Sequence, residues 1–358
     1  MSEARWMRHA LSLAARARGR TAPNPMVGAV IVRDGQVLAE GWHHAPGQAH
    51  AEVDALEKLG GRAPGATMYV NLEPCCHFGR TPPCTDAVLA SGIRRVVVAM
   101  VDPDPRVSGR GISILRDHGV EVEVGLCEDE ARRLNEAYLK ASERKRPLVV
   151  CKAGATLDGR VASAAGESRW ITGPEARAAA HRLRDELDAV LVGSGTLLAD
   201  DPALNTRLDG GRDALPVVLD TQLRCPPGAR LLSAGRRPLL LCAEDVLAQH
   251  PDRAQALAAD VIGLPRGADG RLDLVAALTT LLKRGVHSVL VEGGPTVHRA
   301  LFDAGLVDRV ELFLAPTVLA GGPSWVGGPG WPLLGAPRLR LTDVQRRGED
   351  LQLTLEPA

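Results

Sequence analysis

One histidine and two cysteines within residues 50–84 follow the pattern of a zinc site, and they constrain the fold more than any other feature. His50 begins the segment His50-Ala51-Glu52, and Cys75 and Cys84 each follow a proline. A catalytic zinc takes three protein ligands of the histidine and cysteine kind and leaves a fourth position for water. The chain between residues 50 and 84 must therefore fold so that three ligand atoms converge on one point.

The same segments match the signature of zinc-dependent deaminases, which is H-x-E followed by P-C and a further cysteine. Glu52 lies two residues after His50, where it can move a proton of the water at the fourth position without binding the metal. Eight residues separate Cys75 from Cys84, whereas the usual spacing is two, and Cys76 offers a competing thiol. We expect Cys76 not to bind zinc, because adjacent sulfurs do not easily join one tetrahedron. The alternative is that these are ordinary buried side chains.

Length and composition indicate two globular domains. The chain has 358 residues, of which 45% are apolar and 24% are charged, with 43 basic and 43 acidic side chains. A single core rarely grows to this size. Arginines interrupt every apolar run near the N-terminus, and the uncharged residues 312–337 are too rich in glycine and proline to span a membrane, so we expect a cytoplasmic protein without a membrane partner. Seven cysteines favour metal or catalytic roles over disulfides.

Hydrophobic periodicity predicts alternating helices and strands in both halves. In the first half it predicts helices at 3–18, 49–59, 84–90, 112–118 and 128–140, and strands at 27–32, 68–72 and 95–101. The polar run 141–147 ends this series. In the second half the pattern predicts helices at 174–187, 274–284 and 296–304, and strands at 148–151, 189–193, 217–219, 238–242, 288–292 and 310–314 and near 339 and 351. We therefore expect two layered α/β domains, at 1–145 and 146–358.

The second half carries no G-x-G-x-x-G motif, so a classical Rossmann site is not predicted. At residues 291–296 a predicted strand turns through two glycines into a helix with proline in its first turn. The free amides of such a turn can bind a phosphate, although the same sequence is also a plain strand-to-helix connection. Lys152 and the segments 156–160 and 196–202 are further candidates. The Gly/Pro-rich residues 321–337 form either a functional cover or a rigid surface connection.

The segment 73–84, Glu-Pro-Cys-Cys-His-Phe-Gly-Arg-Thr-Pro-Pro-Cys, closely resembles the RibD family of bifunctional riboflavin-biosynthesis deaminase/reductases, which have this long loop between two cysteines. The resemblance extends to the segments 23–28 (Pro-Asn-Pro-x-Val-Gly) and 41–52 (Gly-x-His-x-x-x-Gly-x-x-His-Ala-Glu) and covers essentially the whole chain. It implies an N-terminal cytidine-deaminase-like α/β/α domain that binds Zn²⁺. It also implies a C-terminal dihydrofolate-reductase-like α/β domain that uses NADPH.

Residue roles follow from this resemblance, motif by motif. Zinc would be bound by His50, Cys75 and Cys84, with Glu52 as the catalytic proton carrier. The deaminase substrate would be bound by Asn24, His43, His77 and Arg80. NADPH would be bound by Gly154, Trp170, Thr196, Asp200, Thr221, Gly294, Pro295, Thr296, Val297, His298, Arg299 and Ala300. The reductase substrate would be bound by Ser168, Arg184, Leu204, Arg207 and Glu292. Lys152, Asp200 or Glu292 would supply or position the proton for the reduction, and the sequence does not choose among them.

The implied enzyme deaminates 2,5-diamino-6-ribosylamino-4(3H)-pyrimidinone 5′-phosphate and then reduces the ribosyl side chain to ribityl with NADPH. We expect it to act on this small molecule rather than on nucleic acid, and to form a homo-oligomer. A nucleic-acid deaminase would share the zinc motif but would need a basic surface, and residues 1–146 carry 20 basic and 18 acidic side chains. A structural zinc module on a non-catalytic domain is the other alternative. Such zinc favours four protein ligands, which would require Cys76 or His77.

Overall fold

The chain forms two compact units, Met1–Arg146 and Pro147–Ala358, in a computed structural model that describes residues 3–79 and 82–358. Each unit has one β-sheet with helices packed against it. Among the described residues, no helix combines the length and the apolar character that crossing a bilayer requires.

The N-terminal unit contains a five-stranded sheet in the order β2-β1-β3-β4-β5. Strand β1 is antiparallel to β2 and β3, whereas β3, β4 and β5 are parallel to one another. The strands are β1 (Gly28–Arg33), β2 (Gln36–Trp42), β3 (Thr67–Val70), β4 (Arg95–Val98) and β5 (Glu121–Val124). The helices are α1 (Ala4–Ala15), α2 (Ala51–Glu57), α3 (Cys84–Ser91), α4 (Arg110–Asp117), α5 (Glu128–Leu134) and α6 (Glu136–Arg144).

Both faces of this sheet are buried, because successive strand residues point to opposite sides. Ile31 and Met68 face a core that includes residues of α2, α3 and α4, and Val30 and Tyr69 face a second core that includes residues of α1, α5 and α6. The result is a three-layered α/β/α arrangement, as the resemblance to the family implies.

The predicted helix at 128–140 is wrong in one respect, because it is broken at Asn135 into α5 and α6. The backbone of Asn135 has φ −98° and ψ 22°, outside the helical region. The sequence prediction also missed β2 and β5. Both are edge strands with few buried residues, so they lack the apolar run that marked β1, β3 and β4.

The C-terminal unit contains a nine-stranded sheet in the order β10-β9-β8-β7-β11-β6-β12-β14-β13. All neighbours from β10 to β12 are parallel, and β14 and β13 are antiparallel additions at one edge. The strands are β6 (Leu148–Thr156), β7 (Ala189–Gly193), β8 (Leu215–Leu219), β9 (Leu239–Ala243), β10 (Asp260–Leu264), β11 (Ser288–Val291), β12 (Arg309–Ala315), β13 (Leu339–Arg347) and β14 (Asp350–Pro357). The helices are α7 (Pro174–Glu186), α8 (Ser194–Asp200), α9 (Glu244–Gln249), α10 (Pro251–Gln255), α11 (Leu274–Lys283) and α12 (Pro295–Asp303).

The predicted strands and helices of this half are present, with three differences. Strand β6 continues five residues beyond the predicted end at 151, because its alternating half-buried positions 152 and 154 interrupt the apolar run. Strand β10 and the short helices α8 to α10 were not predicted. Residues 312–337 form the end of a strand followed by a loop, as predicted.

Candidate metal centre and cofactor cavity

The ligand atoms of the three predicted zinc residues lie close together in the N-terminal unit. His50 Nδ1 is 3.1 Å from Cys84 Sγ and 3.4 Å from Cys75 Sγ, and the two sulfurs are 3.4 Å apart. Among the described residues, no other cluster of three or more potential ligands was found with such close ligand atoms. Tetrahedral zinc with these ligands requires ligand-to-ligand distances of about 3.5–3.8 Å. The residues therefore fit zinc after small outward shifts of their side chains.

Two helix starts and a close approach of strand to helix position these ligands. His50 is the N-cap of α2, and Cys84 is the first residue of α3, as predicted. Strand β2 contacts α2 at Gly41, where a Cβ atom would lie 2.3 Å from the carbonyl oxygen of Ala51. Only glycine permits this approach, so Gly41 determines how closely the helix that begins after His50 lies against the sheet.

A buried carboxylate holds the turn that leads to Cys75. Glu73 accepts hydrogen bonds from the backbone amides of Asp102 (3.2 Å), Gly109 (2.9 Å) and Ile112 (3.2 Å). Cys75 Sγ in turn accepts a hydrogen bond from the amide of Cys84 at 3.3 Å. The sequence analysis did not identify Glu73 as a site residue, although it directly precedes the Pro-Cys pair.

Burial and charge tune the groups at this centre. Glu52 is 3% exposed, and burial, followed by the negative charge of Cys75, raises its pKa to about 7. A carboxyl group that titrates near neutrality suits general acid–base catalysis. Hydrogen bonds with the Cys84 thiol and with His50 hold the pKa of Cys75 well below its usual range. One thiolate therefore forms readily, which zinc binding requires.

Asn24 and His43 form a pair beside the metal ligands. Asn24 Nδ2 donates to His43 Nε2 at 3.0 Å, and His43 Nδ1 donates to the carbonyl oxygen of Ala49 at 3.0 Å. Burial lowers the pKa of His43, in keeping with a neutral ring that accepts at Nε2. The rings of His43 and His50 are 5.2 Å apart, edge to face.

The structure describes His77 and Cys76 near the predicted deaminase pocket, but it does not describe Arg80. His77 is half-buried, and its Nδ1 has no hydrogen-bond partner among the described residues. Arg80 lies outside the described residues. Cys76 Sγ is 3.7 Å from the carbonyl oxygen of Arg106, and Cys76 does not belong to the cluster of ligand atoms.

Two buried asparagines brace the loop that carries Asn24, and the sequence analysis missed both. Asn135 accepts a hydrogen bond from the amide of Met26 (2.8 Å) and donates one to its carbonyl oxygen (2.9 Å). Asn71 donates to the same carbonyl oxygen (3.0 Å) and accepts from the amide of Gly28 (2.7 Å). The position of Asn135 within an otherwise helical pattern was the available signal, because asparagine is a weak helix former that often bonds backbone groups.

A cavity of about 1260 Å³ in the C-terminal unit is lined largely by residues at or after the ends of β6, β7, β8 and β11. Clefts at the carboxyl ends of parallel strands are where open α/β sheets bind ligands. The predicted site residues that line it are Lys152, Gly154, Ser168, Thr196, Asp200, Thr221, Glu292, Gly294, Pro295, Thr296, Val297, His298, Arg299 and Ala300. Those that are not among its lining residues are Trp170, Arg184, Leu204 and Arg207.

The cavity fits a dinucleotide phosphate. Strand β11 turns through Gly293 and Gly294 into α12, and Gly294 has φ +65°. A Cβ atom on Gly293 would lie 2.5 Å from Val192 Cα, so glycine allows the turn to approach β7. Apart from its chain neighbours and the backbone of α8, no protein atom lies within 4 Å of where a Cβ atom on Gly195 would be, which leaves the backbone accessible at the cavity. Open glycine backbone beside hydroxyl and cationic side chains is the chemistry that phosphate binding requires.

Lys152, Arg184 and Glu292 form a buried charge cluster. Arg184 donates from Nε and Nη2 to the two carboxylate oxygens of Glu292, at 2.7 and 2.8 Å, and from Nη1 to the carbonyl oxygen of Asn205. Burial opposes ionisation of Glu292, but the positive charges of Arg184 and Lys152 outweigh it and lower the pKa of Glu292 to about 2. Burial also lowers the pKa of Lys152. Glu292 is therefore a carboxylate at neutral pH, and Arg184 is already engaged by it.

The loop at 321–337 is fixed to helix α12. Trp331 Nε1 donates to Asp303 at 2.9 Å, and Phe302 contacts the rings of both Trp325 and Trp331, edge to face. His298 Nδ1 and Nε2 face the carbonyl oxygens of Trp325 and of the last residue of β11. Since Trp325 also lines the cavity, this part of the loop is a wall of the cavity held in place by α12.

Both units of the chain match known protein families. Residues 1–100 match the family model of the cytidine and deoxycytidylate deaminase zinc-binding region, and residues 147–353 match that of the RibD C-terminal domain. The riboflavin biosynthesis protein RibD of Aquifex aeolicus is 41% identical over 350 residues, which cover 97% of this chain and 96% of that protein. The RibD protein of Escherichia coli is 41% identical over 370 residues, with 99% of each chain covered.

Solved structures give the same result. RibD of Acinetobacter baumannii superposes with a TM-score of 0.90 at 37% identity, covering 99% of this chain and 98% of that one. A Thermotoga maritima diaminohydroxyphosphoribosylaminopyrimidine deaminase/5-amino-6-(5-phosphoribosylamino)uracil reductase superposes with a TM-score of 0.89 at 35% identity and the same coverage. These similarities extend over nearly the whole chain and confirm the fold class expected from the motifs: the chain belongs to the RibD family of riboflavin biosynthesis proteins.

Proposed function

We propose that residues 1–145 deaminate the diaminopyrimidinone ribosylamino 5′-phosphate and that residues 146–358 reduce the ribosyl side chain of the product to ribityl. The chain is a bifunctional deaminase/reductase of riboflavin biosynthesis that uses zinc and NADPH. Such an enzyme is incompatible with the alternative of a non-catalytic zinc module. The observation that carries the assignment of deamination is the cluster of His50, Cys75 and Cys84 beside the buried carboxyl group of Glu52.

In the deaminase, His50, Cys75 and Cys84 would hold zinc. When bound, zinc supplies Lewis acidity that makes water nucleophilic at neutral pH. Glu52 accepts a proton from the attacking water and returns it to the exocyclic amine, so that oxygen bonds to the pyrimidine carbon, the C–N bond breaks and ammonia leaves. A pKa of about 7 allows Glu52 to act in both directions.

We assign orientation of the deaminase substrate to four side chains. Asn24 would bind the pyrimidine through its amide, which can donate and accept hydrogen bonds. His43 would line the same pocket and orient that amide, because its ring nitrogens bond Asn24 and the carbonyl oxygen of Ala49. His77 and Arg80 would bind the ribose phosphate, as the resemblance to the family implies. The hydrogen bond between Asn24 and His43 supports their joint role, because it fixes both side chains beside the zinc ligands.

In the reductase, NADPH supplies the hydride when bound, and the protein aligns donor and acceptor. The carboxylate of Glu292 is held by Arg184 and has no proton to donate at neutral pH. We therefore propose Lys152, whose pKa burial lowers, as the group that delivers the proton to the opened ribose oxygen. Asp200 then remains as a cofactor contact at the end of α8.

The other reductase roles are proposed on two different grounds. Ser168, Thr196 and Thr221 line the cavity, which supports contacts with substrate or cofactor. Trp170 is 65% exposed and stacks against Arg177, with the guanidinium carbon 4.5 Å from the ring centre. The assignments of Trp170, Leu204 and Arg207 rest on the resemblance to the family.

We propose further that the protein is a cytoplasmic homo-oligomer that joins through one face of β12, β14 and β13. In the strand register Leu351 lies opposite Leu314, and Leu341 opposite Leu355. The face carries seven aliphatic side chains, none fully buried, with Arg346 opposite Leu351 at one end. The seven are Leu312, Leu314, Leu341, Val344, Leu351, Leu353 and Leu355. Contiguous exposed apolar surface marks interaction sites, and a twofold axis brings two identical faces together.

Sedimentation velocity tests this interface. We expect Val344→Glu to convert the wild-type oligomer to a smaller species, because it places a charge within the apolar face, opposite Leu353. Gln345→Glu adds a charge to the opposite face of β13 and should leave the oligomer unchanged. A monomeric wild-type protein at micromolar concentration would contradict the proposal.

A two-stage assay tests the proposed activities. Zinc-loaded protein receives the diaminopyrimidinone substrate, ammonia is quantified, and NADPH is then added and its oxidation recorded. We expect ammonia first and NADPH oxidation second, each stoichiometric with substrate. Ammonia without oxidation would contradict the reductase assignment, and silence in both stages with zinc present would contradict the whole proposal.

A further inference from the structure

We propose that Arg224 makes the reductase selective for NADPH over NADH by binding the phosphate on the adenosine ribose. This inference rests on the proposed function, since it requires the nicotinamide nucleotide to occupy the cavity of the C-terminal unit. The two nucleotides differ only in that phosphate. Arginine is the side chain best suited to bind it, because its planar guanidinium presents several donors at once.

Arg224 joins the ends of two adjacent strands at the cavity. It follows β8 by five residues, and its Nη2 donates to Ser194 Oγ at 2.7 Å. Ser194 begins α8 directly after β7, and both side chains belong to the cavity lining together with Thr221 and Gln222. The guanidinium is therefore held at the cavity wall beside two hydroxyl-bearing residues that can also contact a phosphate.

The sheet order places Arg224 on the adenosine side of the cavity. Lys152 and Glu292, which carry the proposed reduction chemistry, lie on β6 and directly after β11. The order β8-β7-β11-β6 puts the end of β8 three strand spacings, about 14 Å, from β6. A dinucleotide whose nicotinamide lies beside Lys152 extends its adenosine half towards β7 and β8.

The other cationic side chains of the cavity lining either pair with a carboxylate or lie away from the ends of β7 and β8. Arg299 donates to Asp303 at 2.7 Å and stacks on Trp331. Lys152 lies beside Glu292 in the buried charge cluster. Arg271 forms an ion pair with Asp269 at 3.9 Å, in the loop that follows β10.

Among the described residues, the carboxylate that pairs with Arg224 leaves its guanidinium available. Asp220 Oδ1 lies 4.0 Å from Arg224 Nε, too far for a hydrogen bond, while Asp220 Oδ2 accepts from the amide of Cys225 at 2.8 Å. Asp220 thus fixes the loop around Arg224 rather than neutralising the guanidinium at close range. About half of the side chain is exposed, so a phosphate can approach it.

Binding of two small probes tests the inference without any turnover. Isothermal titration would compare adenosine 2′,5′-bisphosphate, which carries the distinguishing phosphate, with AMP, which lacks it. We expect Arg224→Ala to weaken binding of the bisphosphate about 10- to 100-fold, as for loss of a charge-assisted contact, and to change AMP binding less than twofold. Arg224→Lys should recover part of the loss. The ratio of KM values for NADH and NADPH should fall in parallel.

Controls separate this inference from the proposed function. Arg237→Ala removes a surface charge that pairs with Asp260 and should change neither probe. Equal weakening of both probes by Arg224→Ala, no change in either, or a selective loss in Arg271→Ala instead would overturn the role of Arg224 while leaving the reductase intact. A wild-type protein that binds neither probe and oxidises no NADPH would overturn the proposed function as well.

Discussion

Replacing Asn135 by alanine should impair deamination without removing zinc. The substitution deletes two hydrogen bonds to the backbone of Met26, of 2.8 and 2.9 Å, that brace the loop carrying Asn24. Each such bond contributes about 1 kcal/mol net, so about 2 kcal/mol of loop stability is lost. Substrate binding must then order the loop at the expense of this roughly 2 kcal/mol, so kcat/KM for ammonia release falls about 30-fold. Most of the fall is an increase in KM.

Two measurements on the Asn135→Ala variant serve as controls for this prediction. Zinc content and NADPH oxidation on pre-deaminated substrate should match the wild type, because neither depends on the loop. The decisive assay is a double-mutant cycle with Asn24→Ala. We expect the effect of Asn135→Ala to shrink several-fold in the Asn24→Ala background, since both act through one loop. Fully additive losses would refute the reasoning.

Three further predictions concern the metal site and the buried charges. Cys75→Ser should lose zinc and Cys76→Ser should retain it in metal analysis; equal loss would assign Cys76 to the site. Gly41→Ala should lower zinc affinity at least tenfold in a chelator competition, because its Cβ would clash with α2, and unchanged affinity would contradict this. The depressed pKa of Glu292, about 2, contributes roughly 3 kcal/mol to stability above pH 4.5 that is lost as the pH falls towards 2. Urea titrations should show this loss in the wild type and a much weaker one in Glu292→Gln.

The sequence determined the metal centre more fully than the cavity. His50, Cys75 and Cys84 carry a chemical pattern that only a few arrangements satisfy, and the structure brings their ligand atoms together. Local periodicity predicted helix starts at 49 and 84, and the helices begin at 51 and 84. These features are local or chemically specific, so they can be read without knowledge of the tertiary contacts.

Several of the missed features depend on contacts between distant parts of the chain. Asn135 breaks a helix because it binds Met26, 109 residues away. The bidentate ion pair of Arg184 joins it to Glu292, 108 residues away, and no sequence motif indicated that pairing. Strands β2 and β5 pair through their backbones at sheet edges, where side-chain hydrophobicity gives little signal. Periodicity and motifs do not encode such pairings.

The central claim, that two separate sites carry the two reactions, is tested most directly by Glu52→Gln. The substitution preserves the shape of a side chain that is buried next to the zinc ligands and removes its capacity to carry a proton. We predict that the zinc-loaded variant releases no ammonia from the diaminopyrimidinone substrate but oxidises NADPH with pre-deaminated substrate at the wild-type rate. Loss of both activities in a folded, zinc-containing variant would contradict the account.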